Sequence, residues 1–138
     1  MAIVEEVPKV LKVRSAFPSF STDDVHKAKE FYGRKLGLEV RDNPMGMIEV
    51  VLGADQHVMI YPKPNHEPAS FTVLNFIVHD IQAAVGSLKA VDVDMERYDG
   101  MQQDEMGVAR DPQGPPIAWF KDNAGNILSV IEDTSVGE

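Results

Sequence analysis

The chain has 138 residues, with 22 Asp and Glu against 13 Lys and Arg, and no cysteine. That length suits one domain able to bury a core without staples, and the missing cysteines exclude disulfides, thiolate metal ligands and a cysteine nucleophile. The formal charge of −9, with basic residues scattered among carboxylates, gives no basic stripe for nucleic acid, and no apolar run is long enough to span a bilayer. Glu5 and Glu6 near the start do not fit a secretory signal, and cysteine usage fits a soluble protein of the reducing cytoplasm.

In chain order, residues 1–10 read as a loosely held arm. Residues 11–21 alternate and carry β-compatible side chains, as a strand does. Ser21-Thr22-Asp23-Asp24 offers N-cap oxygens. Val25, Ala28, Phe31, Tyr32 and Leu36 then fall on one helical stripe, and Gly37 ends it. Strands are expected at 38–41, 47–52 and 57–61, separated by Asn43-Pro44-Met45-Gly46 and Gly53-Ala54-Asp55-Gln56. Residues 62–70, with three prolines, form a linker. A strand at 71–78 leads to His79-Asp80, the cap of a helix bearing Ile81, Ala84, Val85 and Leu88. Further strands are expected at 92–96, 107–111, 117–121 and 127–132. The polar stretch 98–105 reads as a mobile loop, and Met101 and Met106 beside Asp104-Glu105 suit a lid. The end, 133–138, reads as a frayed tail.

The pattern is an internal repeat. Asp24-Val25-His26-Lys27-Ala28 and Asp80-Ile81-Gln82-Ala83-Ala84 match in cap, apolar position and alanine, 56 residues apart. Each half reads strand, helix, three strands, giving modules at about 11–61 and 71–132 of a single domain. One helix covers only one face of its sheet, so two such units can place their open faces around a shared cavity. The fold class is therefore α+β: two tandem βαβββ modules with mixed sheets curving around that cavity.

Two segments carry a resemblance. The run from Asp24 through Phe31-Tyr32 to Leu36-Gly37-Leu38 joins an acidic cap and an aromatic pair to a Leu-Gly helix end. It resembles the first-half signature of the vicinal oxygen chelate superfamily (glyoxalase, bleomycin-resistance protein and extradiol dioxygenase). Phe120-Lys121-Asp122-Asn123-Ala124-Gly125-Asn126 resembles the second, Asp-Pro-x-Gly-Asn, with Asn123 in place of the usual proline. The likeness covers about 11–132.

Metal-using members of that superfamily place His, Glu or Gln on four strands. By distance from the signatures, those positions here are Phe17, Met59, Val73 (or Leu74 if the register slips) and Ser129. Such side chains do not supply the imidazole and carboxylate donors a divalent cation requires. Glu132 lies three residues beyond Ser129, so in a strand it points to the other face. His57 shares parity with Met59 and Tyr61, but one imidazole is no metal site. His26, His66 and His79 read as surface or hydrogen-bonded residues.

No metal and no cofactor are therefore expected. Strand parity predicts an inward set of Phe17, Ser19, His57, Met59 and Tyr61 from the first half, and Val73, Asn75, Trp119, Ser129 and Ile131 from the second. The resemblance is nearest to metal-free bleomycin-resistance-like members, which implies binding of a small organic molecule in an apolar cavity rather than catalysis. Phe17, Ser19, His57, Met59, Tyr61, Asn75, Trp119 and Ser129 are the candidate ligand contacts. The core-filling reading weighs equally for Phe17 and Val73. Two other functions stay open: an enzyme of the same superfamily (lyase, isomerase or dioxygenase), with displaced metal ligands or acid–base chemistry from His57 and Tyr61, and a dimeric scaffold without a ligand. Relatives commonly pair two chains, so the resemblance also implies a homodimer, with no nucleic-acid or membrane partner.

Overall fold

The computed structural model describes residues 7, 8 and 10–133; most of the two expected tails lies outside them. Strand β1 (Ser19–Thr22) leads into helix α1 (Val25–Glu30), which continues as a π-helical turn (Phe31–Lys35). Strands β2 (Glu39–Asp42), β3 (Ile48–Gly53) and β4 (Gln56–Pro62) complete the first module. The second runs β5 (Thr72–Val78), α2 (Ile81–Ala90), β6 (Ile117–Lys121) and β7 (Ile127–Glu132). The sheets are ordered β1-β4-β3-β2 and β5-β7-β6. In each, the first and last strands run parallel, and the remaining pairs are antiparallel. This is the expected α+β arrangement.

The caps are those the sequence offers. Asp24 accepts from the Lys27 N–H at 3.0 Å and Asp80 from the Ala83 N–H at 3.1 Å. The first helix departs from plain α geometry: the Leu36 N–H reaches back five residues to the Phe31 carbonyl. Neighbours on an α-helix are about 100° apart, yet Phe31 and Tyr32 are both buried. The widened turn accommodates both in one core. That core is continuous across the modules. Ile48, Val50, Val58 and Ile60 meet α1 on one side, and Ala118, Phe120, Leu128 and Val130 meet Ile81, Val85 and Leu88 on the other. Burying each large side chain contributes roughly 1.5–3 kcal/mol.

Three expected strands fall short. Only Ser19–Thr22 of the first is paired; residues 11–18 lie exposed, and Pro18 has no N–H to give a ladder. Residues 92–96 make no strand and meet β6 through the Glu96 N–H, which donates to the Trp119 carbonyl, and through the Glu96–Lys121 ion pair. Residues 107–111 contribute only the isolated bridges of Ala109 to Gln103 and Ile117.

The reason for the second lies at the end of α2. The Val93 and Asp92 N–H groups bond to the Leu88 and Lys89 carbonyls, closing a Schellman motif that demands a left-handed residue. Asp92 takes that place, at φ 65°, and also sets a negative charge at a helix C-terminus. Asp92→Gly is expected to stabilise the chain by about 1 kcal/mol and Asp92→Asn by less. A rise in urea midpoint at unchanged slope checks this; a fall for both would mean the carboxylate holds structure elsewhere.

Residues 97–110 form a tied loop. Gln103 donates to the Glu96 and Gly107 carbonyls and accepts from the Tyr98 N–H. Arg97 clamps the Asp104 and Glu105 carbonyls, while Asp104 accepts from the Met106 and Val108 N–H groups. The Asp104 carboxyl is held below its usual range: burial pushes the other way, but these N–H bonds and Arg110 prevail.

Candidate functional site

Alternation along each strand divides the sheets into a helix face and a far face. On β7, Leu128, Val130 and Glu132 belong to the helix side. The Ile81 N–H donates to the Glu132 carboxylate at 3.1 Å, so this residue caps α2, as its offset from Ser129 requires. Ile127, Ser129 and Ile131 occupy the far face.

In the second sheet the far face collects Asn75, Trp119 and Ser129. Ser129 stands beside Asn75 on one flank and Trp119 on the other. Its hydroxyl donates to the Asn75 amide oxygen at 2.5 Å, which leaves both amide N–H groups of exposed Asn75 available to a ligand. Tyr98 meets Trp119 edge-on, with ring centres 5.5 Å apart, and its buried hydroxyl has no hydrogen-bond partner among the described residues. Burial, and then the charge of Glu96, push the Tyr98 hydroxyl above its usual range.

In the first sheet Ser19 stands beside Met59, and alternation sets His57, Met59 and Tyr61 on the same far face. Phe17 precedes β1 and is exposed. Met59 is buried, Tyr61 is at the surface and His57 is half-buried. His57 Nδ1 lies 2.5 Å from a Glu49 carboxylate oxygen, a close contact that is not aligned as a hydrogen bond. The two sets therefore lie on separate sheets. Between the modules, the described hydrogen bonds run through other residues.

Those bonds centre on the second signature. Asp122 is buried and accepts from the Tyr32 hydroxyl at 2.6 Å, from the Asn126 amide at 3.0 Å, and from the Ala124 and Asn126 N–H groups, each at 2.9 Å. Asn126 also donates to the Ser21 carbonyl, and Asn123 reaches Thr22 and the Asp24 carbonyl. His66 completes the clasp: Nε2–H donates to the Ala124 carbonyl at 3.0 Å, and Nδ1 sits 2.6 Å from the Ser21 hydroxyl. In this chain the signature holds the modules together.

Sequence reasoning missed Glu49 and Tyr98 as neighbours of the site. The alternation of Met47, Glu49 and Val51 beside His57 carries the first. The second has no local signal, because 98–105 reads as a plain loop. Phe17, Met59, Val73 and Ser129, the positions that the resemblance implies for metal ligands, carry side chains whose chemistry does not fit a divalent cation. Among the described residues, no three His, Cys, Asp or Glu side chains gather into a group able to hold one.

The chain belongs to the Glyoxalase/Bleomycin resistance protein/Dioxygenase superfamily, whose profile matches residues 16–130. No curated protein matches. Solved structures with the same fold include lactoylglutathione lyase from Agrobacterium tumefaciens, at 20% identity and a TM-score of 0.65 over 91% of this chain and 98% of that one. A superfamily member from Sphaerobacter thermophilus aligns at 24% identity and a TM-score of 0.65, covering 86% and 98%. TnmS3, an antibiotic binding protein from Streptomyces sp. CB03234, aligns at 23% and 0.64, covering 90% and 100%.

Proposed function

We propose that this protein binds a small organic molecule, without a metal, on the far faces of its sheets. The observation that carries this is the donor inventory: Phe17, Met59, Val73 and Ser129, the positions that the resemblance implies for metal ligands, are three carbon-rich side chains and a serine. What remains is Trp119 with Tyr98 as an aromatic wall, Asn75 N–H groups as donors, and Met59 as an adaptable apolar surface. The antibiotic-binding neighbour supports the same reading. A homodimer of the cytoplasmic protein completes the cavity, and exposed Phe17, Phe71 and Ile77 give a second copy apolar surface to cover.

The His57–Glu49 contact supports a second reading, an acid–base enzyme of the superfamily. A carboxylate beside one imidazole nitrogen orients the other for proton transfer.

Trp119, the one tryptophan, makes binding directly readable. Across a panel of planar aromatic natural products, binders are expected to quench its fluorescence and raise the melting temperature. His57→Ala and Asn75→Ala should each weaken a binder about tenfold, the loss of one buried polar contact. A panel with no binder, together with a divalent cation retained stoichiometrically after mild purification, would defeat the metal-free reading in favour of the enzyme.

A further inference from the structure

A second hollow lies on the helix side, at the seam between the modules. It has a volume of about 300 Å³ and is walled by Leu36 and Leu38 from the first module and by Phe76, Ala84 and Leu88 from the second, with Phe120 among its lining. None of the candidate ligand contacts on the far faces borders it. Ligand sites favour such seams, and this volume sits at the lower end of the usual range.

Among the described residues, only two polar side chains border it, Lys35 and Ser87. Lys35, like Lys27, Arg34 and Lys89, makes no ion pair among the described residues, and of these four it alone borders the trough. On its other flank Lys35 borders a polar cleft lined also by Glu30, Asp92, Asp94, Glu96 and Asp122, none of which pairs with it among the described residues. A long ammonium side chain lays its methylenes along apolar surface and keeps its charge at the edge. An apolar trough with one unpaired cation at its rim and no carboxylate in its own lining selects an amphipathic monoanion. The hydrocarbon body displaces water from the leucine and phenylalanine walls, and the single negative head meets the ammonium.

We propose that this seam binds small amphipathic monocarboxylates, with a short alkyl or aryl body in the trough and the carboxylate on Lys35. The site meets the far face of the second sheet only at Ile77 and includes none of the candidate ligand contacts there.

The test uses octanoate and its neutral counterpart 1-octanol, titrated into the full chain and followed by amide chemical shifts. Octanoate is expected to saturate with a Kd on the order of 1 mM. Its shifts should gather at residues 36–38, 76–78 and 84–88 and leave Trp119 fluorescence unchanged. Lys35→Ala, a surface change, should weaken octanoate about tenfold and leave 1-octanol unaffected; Ala84→Phe should reduce both by filling the trough. Absence of saturable octanoate binding, for instance because a second copy covers the seam, would overturn the proposal. So would shifts centred on Asn75, Trp119 and Ser129, or octanoate binding insensitive to Lys35→Ala. Should aromatic ligands fail on the far faces while octanoate binds at the seam, only the first reading falls.

Discussion

Asp122→Ala is expected to cost about 3–5 kcal/mol of stability, enough to lower the melting temperature by roughly 10 °C or more. The carboxylate satisfies four donors: the Tyr32 hydroxyl, the Asn126 amide and two backbone N–H groups. All lie in or beside the core, where water replaces a lost partner poorly. Tyr32→Phe removes one donor and leaves three bonds standing, so about 1–2 kcal/mol is expected. The double variant should lose less than the sum of the two, because both changes break one contact. Full additivity in chemical denaturation would show that the Tyr32–Asp122 bond carries no coupling.

The same pair sets a response to alkali. Burial, then the charge of Asp122 and the hydrogen bond to it, push the Tyr32 hydroxyl far above its usual range. A group whose pKa is raised on folding keeps its full contribution below the unfolded value, about 10 for tyrosine. It loses that contribution as pH climbs further, because the unfolded chain then releases a proton that the folded chain retains. Wild type should therefore lose more stability between about pH 9 and 11 than Tyr32→Phe does. Parallel losses would mean that the hydroxyl ionises equally in both states.

The second large effect is expected at Gly107, in the loop that packs under the Trp119 side of the second sheet. Its φ is +91°, and a β-carbon added there would stand 2.7 Å from the β-carbon of Met95. Neither atom can swing aside, so Gly107→Ala combines left-handed strain with a backbone-level clash, about 2–4 kcal/mol in all. Gly100 gives the control: its φ is +82° with open space around it, so Gly100→Ala should cost only about 1 kcal/mol, the strain alone. Equal losses in a pair of urea titrations would remove the contact with Met95 from the explanation.

The fold was legible because its signals are local and doubled. Asp24 and Asp80 each cap a helix at corresponding places, and both strand–helix–strand patterns follow from them. Side-chain alternation also placed Glu132 on the helix side and His57 with Met59. Pairing was less legible, because whether a β-compatible segment becomes a strand depends on a neighbour far along the chain. Residues 11–17 have the composition of a strand and no partner. Residues 92–96 alternate, but the cap at Asp92 and the ties of Gln103 and Arg97 route that backbone into a loop. The candidate site shows the same division: parity read Asn75, Trp119 and Ser129 onto one face, whereas Tyr98 reaches Trp119 only through the path of that loop. The role of Asp122 was equally hidden. A signature motif invites a reading as chemistry, but its hydrogen bonds go to Tyr32, a partner 90 positions away.

That distance bears on how the chain comes to be folded at all. The Tyr32 hydroxyl emerges from the ribosome with no acceptor of its own, and the N-terminal module must wait for most of the remaining chain before its innermost aromatic ring is satisfied. Contacts so far apart in sequence incur a large closure entropy before they are rewarded. The two halves, although each has its own sheet and helix, are therefore expected to unfold in a single cooperative transition instead of two successive ones.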